Sequence, residues 1–219
     1  MNLMGQVYGA MAALPHIKRE GRGALIHISS VEAKRSFPFH SAYGASKHGI
    51  DGLLEALRVE LRHEGWPISV TQVMPGTINT PFFDKGRSKI SVKPVGIPPI
   101  YEPETVANII LYAAENPARD LVSGGAAQAL ILNQRLSPGM LDAVLATRAG
   151  FAPQKIEEPR SEDEPDNLYA PISGHDTSKN GFRALSWSLY NWLQMHPVVR
   201  RGAAVGTTLG LMAALRGRS

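Results

Sequence analysis

The chain has 219 residues, 43% hydrophobic and 19% charged, a near-average globular composition that supports one folded domain with a real core and argues against wholesale disorder. It contains no cysteine, which excludes disulfides, thiolate metal sites and cysteine nucleophiles. Its formal net charge of +4 comes without a Lys/Arg-rich block, so nucleic acid is not an expected partner.

In chain order, Leu3, Val7, Ala10, Met11 and Leu14 recur at helical spacing, and Gly21 and Gly23 punctuate the segment. No basic-then-apolar signal pattern opens the chain; together with the absent cysteines this makes a cytoplasmic setting the expectation. ALIHISS (24–30) reads as a strand. From Tyr43 to Glu64 the pattern is helical, with Ile50, Leu53, Leu54, Leu57 and Leu61 on one face, until Trp66-Pro67 stops it. ISVTQVM (68–74) reads as a second strand ending at Pro75-Gly76. EPETVANIILYAAENP (102–117) predicts a third helix with Glu102 and Glu104 at its positive end, and AQALIL (127–132) a third strand. Strands alternating with long helices predict parallel strands joined by crossovers, hence an α/β layered fold.

The composition changes near residue 152. The body is expected over 1–150, a linker or surface-wrapping loop over 151–181, and a helical extension over 182–219. Residues 153–180 are rich in Pro, Asp, Glu, Ser and Gly, with six carboxylates between Glu157 and Asp166. FRALSWSLYNWLQM (182–195) predicts an amphipathic helix. The tail GAAVGTTLGLMAAL (202–215) is shorter than the ~20 apolar residues a membrane span needs. Two readings of it stay open. One is peripheral contact with a membrane surface, with Gly202, Gly206 and Gly210 at small-xxx-small spacing; the other is a terminal helix packed on a partner subunit.

Chemistry concentrates around Tyr43-Gly44-Ala45-Ser46-Lys47. Residues four apart share a helical face, so Tyr43 and Lys47 can address one substrate. A phenol with an ordinary pKa of about 10 is a poor base near neutrality. A neighbouring ammonium favours its phenolate and brings it toward the range useful for proton transfer. Lysine also has donors to spare for hydroxyl groups. The plain alternative is a helix-start tyrosine beside a solvated lysine. Ser30 lies at the carboxyl end of the first predicted strand, where parallel α/β sheets place their ligands. It can donate to a substrate carbonyl, or it is a strand-ending turn residue.

With Asn2-Leu3-x-Gly5, Leu14-Pro15-His16, Ile28-Ser29-Ser30 and Pro75-Gly76-Thr77-Ile78-x-Thr80 in order, residues 1–135 resemble the C-terminal half of the short-chain dehydrogenase/reductase family. The resemblance implies a partial Rossmann-like, doubly wound parallel sheet over 1–150 and an oxidoreductase that interconverts a carbonyl and an alcohol using NAD or NADP. It implies Tyr43 as acid/base, Lys47 as its pKa modulator and ribose ligand, and Ser30 as the group orienting the carbonyl. Asn2 would organise a water near the lysine, and Pro75, Gly76, Ile78 and Thr80 would line the nicotinamide side. It also implies a homo-oligomer formed through the first two helices.

No G-x-G-x-x-G or T-G-x-x-x-G-x-G occurs, so the resemblance implies that four preceding strands and the phosphate-binding turn are missing. The expectation is an N-terminally incomplete enzyme, with a non-catalytic binding or dimerisation module as the alternative. A serine hydrolase is disfavoured because no Gly-x-Ser-x-Gly occurs, and His27, His40 and His48 read as ordinary polar positions. The seven histidines show no His-x-x-x-His or His-Glu-x-x-His spacing, so no metal is expected. Phe82 and Phe83, with Ile90, Val92, Val95, Ile97 and Ile100, either line a pocket for a lipophilic alcohol or ketone or pack their loop onto the body.

Overall fold

The computed structural model describes residues 2–161, 164–174 and 177–202. The tail reading at 203–215, including Gly206 and Gly210, lies outside these. Three parallel strands form the central sheet, with Ile68–Pro75 in the middle between Gly23–Ile28 and Asp120–Ser123, and helices cover both of its faces.

Helix α1 (Asn2–Arg19) leads into β1 (Gly23–Ile28), which pairs in register with β2 (Ile68–Pro75) from Gly23 opposite Ile68 to Ile28 opposite Val73. Between these strands runs helix α2 (Ser41–His63). Alternation along the strands sends successive side chains to opposite faces. Leu25, Ile68 and Val70 meet Ala10 of α1 and Ile50, Leu54 and Leu61 of α2. Ile26, Ile28, Val73 and Leu121 turn the other way, onto Ile109 and Ala113 of helix α4 (Pro103–Glu115). This two-sided burial is the doubly wound arrangement expected from the sequence. β1, β2, α1, α2 and α4 form close to their predicted bounds.

Shorter elements follow β2: β3 (Thr77–Ile78), α3 (Phe82–Lys85), β4 (Val92–Pro94) and β5 (Ile100–Tyr101). β3 and β5 pair in parallel.

The third strand is not AQALIL. It is β6 (Asp120–Ser123), beside β2 with Gln72 opposite Asp120, and 127–132 belong to helix α5 (Gly125–Leu136). A short apolar run does not distinguish strand from buried helix by periodicity. Here Gly124, at φ 107, turns the chain, and Ala127 and Ile131, one turn apart, pack on Val31, Met74 and Val122. Helices α6 (Pro138–Leu145) and α7 (Arg148–Phe151) follow.

The acidic stretch begins as strand β7 (Lys155–Pro159), antiparallel to β4, so this part wraps the body. The predicted helix at 182–195 forms only as α8 (Leu189–Met195). Before it the chain is extended along β5, with Leu185 N–H on the Ile100 carbonyl at 2.8 Å and Glu102 N–H on the Leu185 carbonyl at 3.0 Å. Ser188 then caps α8 by accepting from Asn191 N–H, a local bond that fixes the later start. From α8, the Gln194 amide both accepts from Val122 N–H (3.1 Å) and donates to its carbonyl (3.2 Å), while Asn191 accepts from Gly124 N–H at 2.8 Å. Two side-chain amides thus satisfy the outer edge of β6, which would otherwise present open pairing groups.

Candidate active site

The site assembles where β1 ends. Ser29 N–H continues the ladder onto the Val73 carbonyl at 2.8 Å. Ser30 remains extended and caps a single 3-10 turn, Val31–Ala33, its Oγ accepting from Glu32 N–H at 3.1 Å. The Ser30 hydroxyl lies near enough to the Tyr43 phenol to favour its ionised form.

α2 starts as Gly44 N–H reaches the His40 carbonyl at 2.7 Å. A Cβ on Gly44 would fall 2.0 Å from Ser36 Oγ, so only glycine lets this turn approach the preceding loop. Tyr43 and Lys47 lie one helical turn apart, with the Lys47 ammonium 5.5 Å from the Tyr43 ring centre. Lys47 is buried and donates to the Ile28 carbonyl at 3.3 Å.

Burial dominates the electrostatics. It pushes the Tyr43 phenol above its ordinary value; the nearby Ser30 hydroxyl works the other way, and the negative charge of Glu32 adds a further upward push. Burial also draws Lys47 below the usual ammonium range, opposed by Glu32. The phenol is therefore raised overall, where the Tyr43–Lys47 spacing alone led one to expect it lowered. A raised phenol holds its proton at neutral pH and is a weaker acid than an exposed one, so giving that proton up depends on stabilisation of the phenolate formed. Ser30 and Tyr43 thus place two hydroxyl donors side by side, and Lys47 has donors beyond the one on Ile28.

The remaining candidates lie at the end of β2 and in the segment that follows it. Pro75 is buried, and Gly76 N–H donates to the Ser123 carbonyl at 3.0 Å. Ile78 pairs with Tyr101 in β5, and Thr80 N–H donates to the Ile78 carbonyl at 2.9 Å. Phe82 is exposed and meets half-buried Phe83 edge to face at 5.2 Å. Asn2 opens α1 as an exposed residue, and no bond joins it to Lys47 among the described residues.

Two residues near the site carried no functional reading from sequence. Glu32 is buried, with Oε1 2.8 Å from His40 Nδ1 and Oε2 without a partner among the described residues. The His40 ring lies edge-on to Tyr43 at 6.2 Å. The available signal was a lone carboxylate in Ser30-Val31-Glu32-Ala33, directly after an apolar strand.

The family pattern described as short chain dehydrogenase matches residues 1–91. The uncharacterized oxidoreductase YxnA of Bacillus subtilis (strain 168) is 34% identical over 208 residues, 94% of this chain and 58% of YxnA. Dehydrogenase/reductase SDR family member 7B of Bos taurus is 34% identical over 153 residues, 68% of this chain and 46% of that protein. Among solved structures, a short chain dehydrogenase from Burkholderia cenocepacia J2315 in complex with NADP matches at TM-score 0.55 and 27% identity, over 67% of this chain and 56% of that one. The chain spans about half the length of these relatives. The shared sequence pattern and the shared parallel sheet agree: the chain belongs to the short-chain dehydrogenase/reductase family.

Proposed function

We propose that this protein works as an NAD(P)-dependent oxidoreductase interconverting a carbonyl and an alcohol, with Tyr43 as acid/base. The observation that carries the reading is Tyr43 and buried Lys47 one helical turn apart, beside Ser30 at the carboxyl end of a parallel strand. The named relatives are oxidoreductases or dehydrogenases, and the Burkholderia cenocepacia structure holds NADP.

The residues present fit the nicotinamide-ribose end of such a cofactor. Lys47 has N–H donors left for ribose hydroxyls, and Pro75, Gly76, Ile78 and Thr80 offer backbone groups and a hydroxyl to the carboxamide. No glycine-rich phosphate cradle lies among the described residues. Bound there, the nicotinamide supplies or accepts the hydride. In reduction, Ser30 and Tyr43 hold the carbonyl oxygen by two O–H donors, and the Tyr43 proton passes to that oxygen as the carbon is reduced. The resulting phenolate is stabilised by the Lys47 ammonium. In oxidation the same phenolate removes the alcohol proton. Phe82 and Phe83 would favour a lipophilic alcohol or ketone.

Tyr43→Phe removes the transferable proton and little else. Carbonyl reduction is expected to fall by roughly 10²- to 10⁴-fold with an unchanged circular dichroism spectrum. Full activity in this variant would refute the acid/base assignment.

A second reading, a non-catalytic binding or dimerisation module, is favoured by one observation. Met4, Tyr8 and Met11 form an exposed stripe on α1 that suits a second copy of the chain. Fluorescence titration with NADH and NADPH separates the readings, because micromolar binding is incompatible with a module that no longer holds a dinucleotide.

A further inference from the structure

The mechanism above makes no use of Glu32, although a buried carboxylate beside a proton-transferring pair is costly unless its charge is compensated. The main chain leaves Glu32 little freedom. Its N–H is spent on Ser30 Oγ at 3.1 Å, which locks the 3-10 turn and points the residue inward. One carboxylate oxygen meets His40 Nδ1 at 2.8 Å, and the other is buried without a hydrogen bond among the described residues. Immediately before His40, Phe39 holds φ 68, a left-handed conformation unfavourable for a bulky side chain. An orphaned carboxylate oxygen and a strained backbone thus meet at one pair, three residues before Tyr43. Strain of this kind persists where surrounding structure enforces it and gathers at functional sites.

The other charged and titratable groups around Tyr43 and Lys47 are accounted for locally. On α2, Asp51 is held by Lys34 Nζ at 2.6 and 2.7 Å, and His48 Nδ1 sits 2.9 Å from the Gly44 carbonyl. In the preceding loop, His40 is taken by Glu32 itself. From the α5 side, Arg35 is engaged by Gln134 and Asp142. Glu32 opposes ionisation of Tyr43 and favours the charged form of Lys47.

We propose that Glu32, tied to Ser30 through its backbone and to His40 through its carboxylate, is a positioning residue that sets the charge balance of the Tyr43–Lys47 pair. It rests on the reading of that pair as the acid/base. The negative charge opposes formation of the phenolate and favours the ammonium, so it holds Tyr43 in its protonated form and Lys47 charged in a buried site. The sign follows directly: removing the charge makes the phenolate easier to form.

The test needs neither substrate nor cofactor. The phenolate absorbance of the protein is followed through an alkaline titration, and the same titration of Tyr43→Phe is subtracted to isolate Tyr43. Glu32→Gln keeps the shape and removes the charge; its Tyr43 midpoint is expected at lower pH than the parent's. Glu32→Asp draws the charge back by one methylene, and an intermediate midpoint is expected. A Glu32→Gln midpoint equal to the parent's overturns the proposal. Should Glu32→Gln fail to fold, a Glu32→Asp midpoint equal to the parent's overturns it instead. If no protein reduces a carbonyl yet the midpoints move, the oxidoreductase reading fails and the role of Glu32 in the pair stands. If Tyr43→Phe abolishes activity while the midpoints stay fixed, Glu32 alone is refuted.

Discussion

Two regions of this molecule hold together by different physics. From residue 23 to 80 the chain is a ladder of paired strands backed by apolar side chains, with Ile50, Leu54 and Val73 wholly excluded from solvent. From 82 to 101, and in the strap made by the described residues among 155–188, strand pairs are short and every side chain of β7 is exposed. Polar clips do the joining there. Arg160 donates to the Phe83 carbonyl at 2.8 Å and the Gly86 carbonyl at 3.1 Å; Arg87 pairs with Asp166, and Asn180 bonds Asp84. The first region fixes the reacting groups by burial, which tolerates little change. The second is held through a few side chains, so it can vary without unfolding the domain.

The sharpest way to break this contrast is Leu54→Ala. Leu54 is fully buried among Ala10, Leu25, Ile50, Leu61 and Val70. Truncation there is expected to cost about 2–5 kcal/mol through lost burial and the cavity left behind. Urea denaturation followed by circular dichroism measures it. A loss no larger than that of Leu185→Ala, at a half-exposed position of the second region, would mean that burial is not what holds the framework.

The same contrast explains what the amino-acid sequence disclosed. Ile50, Leu54, Leu57 and Leu61 repeat with the helical period because one face of α2 is buried, and ISVTQVM carries Ile68, Val70, Val73 and Met74 because β2 is central. Tyr43, Lys47 and Ser30 were legible for a related reason: regular elements fix their spacing. Their grouping says what they can do, while their roles await the substitutions above. β6 was displaced in the reading because DLVS is short and begins with a charged residue, whereas the helical AQALIL next to it is apolar at every position but Gln128. β7, the extended run at 182–188 and the Glu32–His40 contact were not legible at all. They depend on partners distant in sequence or on a turn conformation, as at Phe39, that no periodicity announces. The direction of the Tyr43 shift was hidden too, since burial is a property of the folded surroundings.

The strap is tested next by Arg160→Ala. The Arg160 side chain is 7% exposed and gathers the carbonyls at the end of α3, just past the two phenylalanines proposed to meet substrate. Losing it leaves those carbonyls without their donor, at a local cost of about 1–3 kcal/mol. The expected signature is faster proteolysis within 82–94 and a raised KM with kcat retained, while the urea midpoint of the framework moves far less than in Leu54→Ala. A fall in kcat with KM unchanged would show instead that the strap acts on the reacting groups.

The smallest effect belongs to Lys179→Ala. Lys179 reaches Glu102 at 3.2 Å and Glu104 at 2.7 Å, holding the strap to the start of α4, and these contacts draw Lys179 above and Glu104 below their usual ranges. Lys179 and Glu104 are exposed, so water already screens the attraction and the ordered side chains lose conformational freedom in forming it. Any stabilisation at low ionic strength should vanish near 1 M salt, where the screening length falls to about 3 Å. Melting curves of parent and variant are therefore expected to differ slightly at low salt and to coincide at high salt. A difference that persisted at high salt would place this contact with the buried framework, and the line between the two regions would have to be redrawn at α4.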